Sequence, residues 1–205
     1  MPIDLPTMMN LAQACAPTVA TSTLLAVAKA ESGFEPLAIG VNGRHPARIV
    51  APSKADAVAT AKRLVAAGGA PDLGLAQINV RNLAWLGLSV ADAFDPCHNL
   101  AASARVIASG YDRAGPRPGA EQAALRTALS YYNTGDPQRG FRNGYVAKVT
   151  AAAGRIVPAL QPDTPQSPAA EPKPDPLPPA WDVFANAARP TATFVFNPQP
   201  TEDDR

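Results

Sequence analysis

The chain has 205 residues, 46% hydrophobic and 17% charged, with a formal net charge of +1. That length and composition suit one globular domain with a substantial core, and the near-zero charge argues against a nucleic-acid binder. No apolar run is long enough to span a membrane as a helix, and the start, Met1-Pro2-Ile3-Asp4-Leu5-Pro6, lacks the basic segment and apolar core of a signal peptide.

Taken along the chain, the pattern predicts a first helix over 7–14 and a second over 22–32, with a hydroxyl cap at its start and Gly33 at its end. Residues 37–52 combine Gly40, Asn42, Gly43 and Pro46 with the β-prone Arg48-Ile49-Val50, which predicts a small hairpin. Ser53 caps a helix over 54–67, ended by Gly68-Gly69. A helix is expected over 77–86, ended by Gly87. Pro96 opens a long helix through Asn99 to Tyr111, and 121–132 and 144–156 are the last two. The predicted fold class is mainly α with a small β-containing insert (α+β).

Twelve of the 23 prolines lie at or after Pro158. The chain before Pro158 carries 15 Lys/Arg against 10 Asp/Glu, and the rest carries 3 against 7. The expected division is therefore a mildly basic domain over 1–157 and a Pro-rich, acidic, disordered tail over 158–205. Two apolar islands in the tail, Trp181-Asp182-Val183-Phe184 and Phe194-Val195-Phe196, read as docking segments or as plain tail.

One residue breaks the helix pattern. Leu24, Val27 and Ala28 share a face of the second helix at i, i+3, i+4 spacing, and the i+7 position of that face is Glu31. A carboxylate against apolar neighbours is costly to ionise, and the negative end of the helix dipole pushes its pKa the same way. Such an acid suits glycosidic bond cleavage. The bland alternative is a Glu that snorkels into water. Glu35 would share its face if the helix continued, but Gly33 and Pro36 end it, so Glu35 reads as a surface or loop-anchoring group. Asp72 reads as a group that bonds backbone amides of the following turn. Cys15 and Cys97 are compatible with a disulfide or with two buried thiols. Their spacing with His45 and His98 matches no recognised zinc pattern.

Four segments mix small residues with polar ones: Glu31-Ser32-Gly33-Phe34-Glu35-Pro36, Asp72-Leu73-Gly74-Leu75-Ala76-Gln77-Ile78-Asn79, Ala128-Leu129-Ser130-Tyr131-Tyr132-Asn133-Thr134-Gly135 and Asn143-Gly144-Tyr145-Val146-Ala147-Lys148-Val149. This is the make-up of a groove in which backbone and amides approach a polar ligand. In order and spacing they resemble the lytic transglycosylases of the soluble-lytic-transglycosylase family, which share the lysozyme-like fold. The likeness is closest to the VirB-type enzymes attached to type IV secretion systems. It covers residues 11–157. Ala76 stands where the family has Met or Gly, and Tyr131 stands in place of a small residue, which implies a reshaped subsite.

The resemblance implies that Glu31 is the sole catalytic carboxylate. It would protonate the oxygen between N-acetylmuramic acid and N-acetylglucosamine, then act as base on the muramyl 6-hydroxyl to give a 1,6-anhydro sugar. Ser32, Gln77, Asn79, Tyr132, Asn133 and Tyr145 would bind substrate, and Arg44, Arg48 and Lys54 are candidates to meet peptide stems. The implied partners are peptidoglycan glycan strands and, through the tail, type IV secretion components. No cofactor, metal or nucleic acid is implied. The implied compartment is the periplasm, and its oxidising setting implies a Cys15–Cys97 bond. The alternatives are a hydrolysing muramidase on the same fold and an inactive wall-binding assembly scaffold.

Overall fold

A computed structural model describes residues 1–43 and 45–160. Eight helices and four short strands run in the order α1 (Leu5–Cys15), α2 (Thr21–Glu31), β1 (Ala38–Val41), β2 (Ala47–Val50), α3 (Lys54–Ala66), β3 (Asp72–Leu73), β4 (Ile78–Asn79), α4 (Leu83–Leu86), α5 (Pro96–Ala114), α6 (Glu121–Thr134), α7 (Arg139–Arg142) and α8 (Tyr145–Leu160). Arg44 and residues 161–205 of the expected tail lie outside the described residues, and 158–160 belong to the last helix. The last helix continues through Pro158, beyond its expected end at 156.

Local chemistry explains most of these boundaries. Asp4 accepts from the Thr7 amide at 2.9 Å and starts α1. Ser53 accepts from the Asp56 amide at 3.1 Å and starts α3, as its position predicts. Asp95 accepts from the Cys97 and His98 amides at the head of α5, with Pro96 in the first turn. The expected hydroxyl cap on α2 is absent. Its N-cap is Ala20, without a side-chain cap, and Thr21, Ser22 and Thr23 lie inside the first turn.

α2 is the central helix. Thr23, Leu24, Leu25, Ala26, Val27, Ala28 and Ala30 are all buried along it, against α1 and α8. Burying a Leu or Val side chain stabilises by about 1.5–3 kcal/mol, so this helix is held by tertiary packing rather than by capping. The Cys15–Cys97 disulfide, with Cα atoms 5.3 Å apart, ties the end of α1 to the start of α5. Bonded to each other, these sulfurs cannot serve as thiolate metal ligands.

The β insert is an antiparallel sheet in the order β2-β1-β3-β4, with Ile39 opposite Leu73 and Asp72 opposite Asn79. The expected hairpin is β1–β2. The helix expected over 77–86 does not form as such. Residues 78–79 are a strand, Val80–Asn82 a 3₁₀ turn, and only Leu83–Leu86 is α-helical. The reason is backbone handedness. Gln77 has a left-handed φ of +50°, which no right-handed helix accommodates, Ile78 and Asn79 pair as a strand with Leu73 and Asp72, and Gly74, at +75°, makes the turn between the strands. The buried Asn99 holds this loop, accepting from the Ala76 amide at 2.8 Å and donating to Leu73 and Ala93 carbonyls at 2.9 and 2.7 Å. A Cβ on Gly74 would lie 2.3 Å from the Ala93 oxygen, so only glycine fits there.

Candidate active site

Glu31 is the last residue of α2. Beyond it the chain reverses through Gly33 and Phe34, both left-handed, with φ of +66° and +72°. That reversal takes Glu35 off the Glu31 face. Glu35 is buried, not on the surface, and anchors its loop. Its carboxylate meets the Met1 ammonium at 3.2 Å and accepts from the Leu37 amide at 3.4 Å.

Glu31 is partly buried, and Tyr145, at the first position of α8, donates its hydroxyl to Oε1 at 2.5 Å. Burial is the main cause that lifts the Glu31 pKa to about 7, and the negative charge of Asp72 pushes it the same way. The Tyr145 hydrogen bond and the positive charge of Lys148 pull against that rise. Burial, with the negative charge of Glu31 next, in turn pushes the Tyr145 phenol well above its ordinary value, so it remains a donor.

The open side of Glu31 faces a cleft of about 700 Å³. On the sheet side it is lined by Asn42, Asp72, Gln77 and Asn79, and on the helical side by Tyr131, Tyr132, Asn133 and Arg113. Arg81, Asn82 and Trp85 continue the lining through the 3₁₀ turn and α4.

Asp72 does not bond backbone amides. Its two oxygens accept from the side-chain amides of Asn42 and Asn79, each at 2.7 Å, and those same amides also donate to the Ala70 carbonyl. Burial raises the Asp72 pKa, while the two amides oppose the rise.

Of the expected binding residues, Gln77, Asn79, Tyr132 and Asn133 line the cleft with Glu31. Gln77 turns its amide nitrogen inward, donating to the Gly74 and Ala38 carbonyls at 2.8 and 3.1 Å. Its oxygen lies where a Cβ on Gly40 would approach within 2.7 Å, so Gly40 makes room for it. The Tyr132 hydroxyl donates to the Ala76 carbonyl at 2.6 Å and sits 3.2 Å from Ser103 Oγ, which pins the glycine-containing loop to α6. Asn133 accepts from the Asn143 side chain at 2.8 Å, joining the third segment to the fourth.

Tyr145 lies behind Glu31 rather than among the lining residues. Ser32 is buried outside the lining, donating to the Ala28 carbonyl at 3.3 Å and accepting from the Glu35 amide at 3.1 Å. Arg48 points at the helix end, donating to the Ser32 carbonyl.

Asn99, Trp85 and Arg113 were not singled out from the sequence. Asn99 shares the buried face of α5 with Ser103, Ile107 and Gly110, and an amide on that face was the available signal. Nothing local marks Trp85 or Arg113. Among the described residues no cluster of three or more His, Cys, Asp or Glu side chains could hold a metal ion, and no helix is long and apolar enough to cross a membrane.

A family model described as the transglycosylase SLT domain matches residues 8–152. Three relatives show the same likeness. The chain is 41% identical over 179 residues to protein virB1 of Agrobacterium fabrum (strain C58), covering 85% of this chain and 69% of that protein. It is 44% identical over 151 residues to protein virB1 of Rhizobium radiobacter, covering 74% and 62%. It is 45% identical over 149 residues to the type IV secretion system protein virB1 of Brucella abortus biovar 1 (strain 9-941), covering 70% and 62%. No solved structure matches the chain significantly. The match takes in Glu31, the Gly74–Asn79 loop, Tyr132, Asn133 and Tyr145 in one span, and on it this chain belongs to the transglycosylase SLT domain family.

Proposed function

We propose that this chain is a peptidoglycan lytic transglycosylase that opens the cell wall locally for a type IV secretion or conjugation apparatus, working in the periplasm. The observation that carries the chemistry is Glu31: a carboxylic acid with a pKa near 7, hydrogen-bonded by Tyr145 and facing a long polar cleft. The secretion setting rests on the relatives named for that system.

In this reading Glu31 protonates the bridging oxygen between N-acetylmuramic acid and N-acetylglucosamine, and the glycosidic bond breaks. The resulting carboxylate, held by the Tyr145 hydroxyl, then takes the proton of the muramyl 6-hydroxyl. That oxygen closes on the anomeric carbon. The product is a 1,6-anhydro sugar, Glu31 is protonated again, and no water is consumed. A pKa near the working pH serves both halves of this cycle. The amide nitrogens of Gln77 and Asn79 are spent inside the protein, so these two offer acceptor oxygens, while the Asn133 nitrogen offers a donor to acetamido and hydroxyl groups, and Tyr132, Tyr145 and Ser32 hold the frame. The unit that does this chemistry is residues 1–157, and residues 158–205 engage secretion components.

The test is digestion of purified sacculi followed by mass spectrometry of the fragments. Anhydro-muropeptides are the expected products. Reducing muropeptides, heavier by one water, would assign the chain to the hydrolysing muramidases. Binding without release of fragments would make it a wall-binding scaffold.

A further inference from the structure

α5 and α6 approach closely at Gly110. A Cβ added there would sit 3.1 Å from the Ala128 carbonyl oxygen and 3.2 Å from its Cα. Side chains on a helix lean toward its N-terminus. Arg113 and Tyr131, each three residues beyond that contact, therefore lean back over it. There the Arg113 guanidinium lies 4.0 Å from the centre of the Tyr131 ring. Both residues line the same cleft as Glu31, as does Gly110 itself.

Tyr131 occupies a position where the resemblance calls for a small residue. An aromatic face beneath a guanidinium attracts it and holds the planar fork in one orientation. The ring occupies one face of the guanidinium and leaves its N–H edges open. No carboxylate among the described residues forms a salt bridge with Arg113. A guanidinium held in a cleft, with its donors unspent on a charge partner, matches a carboxylate in geometry and sign.

We infer that Arg113, laid on the Tyr131 ring, is an anion-recognition point of the cleft and binds a carboxylate of a peptide stem on the glycan strand. The inference rests on the peptidoglycan reading above. Tyr131 is the positioning residue: it does not touch the anion and acts by holding the guanidinium.

The experiment uses soluble peptidoglycan strands that carry peptide stems, native or with their carboxylates converted to amides by carbodiimide and ammonia. The readout is the ratio of KM on amidated strands to KM on native strands, taken within each variant so that a general fall in activity cancels. The wild-type ratio is expected at about three- to tenfold, the range of one partly exposed charge-assisted contact. In Arg113→Leu the ratio falls to about one. Tyr131→Phe keeps the ring and the wild-type ratio, whereas Tyr131→Ala lowers it. A wild-type ratio of one overturns the inference, as does an Arg113→Leu ratio equal to that of the wild type. If the wild type cleaves neither substrate, the catalytic reading fails. The carboxylate contact is then read from co-sedimentation with native against amidated sacculi, where equal binding overturns it.

Discussion

The Tyr145 hydroxyl reaches across 114 residues of sequence to donate to Glu31 Oε1 at 2.5 Å. It joins the first residue of α8 to the last residue of α2, so the proton affinity of Glu31 depends on how two antiparallel helix ends meet. Burial and Asp72 push the Glu31 pKa up, while Tyr145 and Lys148 hold it back, and the balance falls near 7.

Glu31→Gln is expected to lower turnover of sacculi by at least about 100-fold, the scale of losing a general acid. Its effect on stability has the opposite sign. The folded pKa, about 7, lies above the ordinary value of 4.5. The unfolded chain therefore releases this proton first, and the stability linked to Glu31 is full below pH 4.5 and lost as pH rises through 7. At pH 8 the Gln variant is then expected to be more stable, by up to about 3 kcal/mol at about 1.4 kcal/mol per pKa unit. Urea denaturation at pH 4 and pH 8 measures this. Equal destabilisation at both values would mean that Glu31 is ordinary in the folded protein.

The pH–rate profile should lose activity as pH rises through about 7, because the acid must start protonated. Tyr145→Phe removes a hydrogen bond that favours the carboxylate, so that limb moves to higher pH. A profile that keeps its midpoint in the Phe variant would show that the hydroxyl does not bear on Glu31. The same substitution should cost about 0.5–1.5 kcal/mol of stability.

Asn99→Leu keeps the bulk of the side chain and removes the brace of the Gly74–Asn79 loop. It strands the Ala76 amide and the Leu73 and Ala93 carbonyls, all bonded by Asn99. The expected loss is at least about 3 kcal/mol, at about 1–3 kcal/mol for each of the three buried groups left unpaired. Because the same loop carries Gln77 and Asn79 to the cleft, KM should rise as well. Thermal unfolding together with initial rates separates the two effects.

Reducing the Cys15–Cys97 bond opens a loop of 82 residues. The chain-entropy model puts its contribution at about 4–5 kcal/mol, and typical losses are about 2–4. The melting temperature should therefore fall with dithiothreitol in the wild type and not in a Cys15→Ser, Cys97→Ser double variant. Two reactive thiols in the unreduced wild type would remove the bond from this account.

Much of the fold is visible in the chain because its causes are local. Asp4, Ser53 and Asp95 each cap a helix whose start can be read from a few neighbours. The i, i+3, i+4 face ending at Glu31, the β1–β2 turn residues and the order of the four cleft segments are likewise local facts. The strands at 72–73 and 78–79 were hidden because nothing near Gln77 announces a left-handed backbone. That conformation is imposed by Asn99 from a separate helix.

By itself, then, the sequence determined most of the longer helices, the hairpin and the family, and it singled out Glu31 as the candidate acid, since period, caps and motif order are properties of short stretches. Only the tertiary structure decided what surrounds that acid. It put Tyr145 on Glu31, turned Asp72 toward Asn42 and Asn79 rather than backbone, buried Ser32 and Glu35, and laid Arg113 on Tyr131. Those are contacts between distant segments, and their geometry follows from how helices pack, which spacing along the chain does not encode.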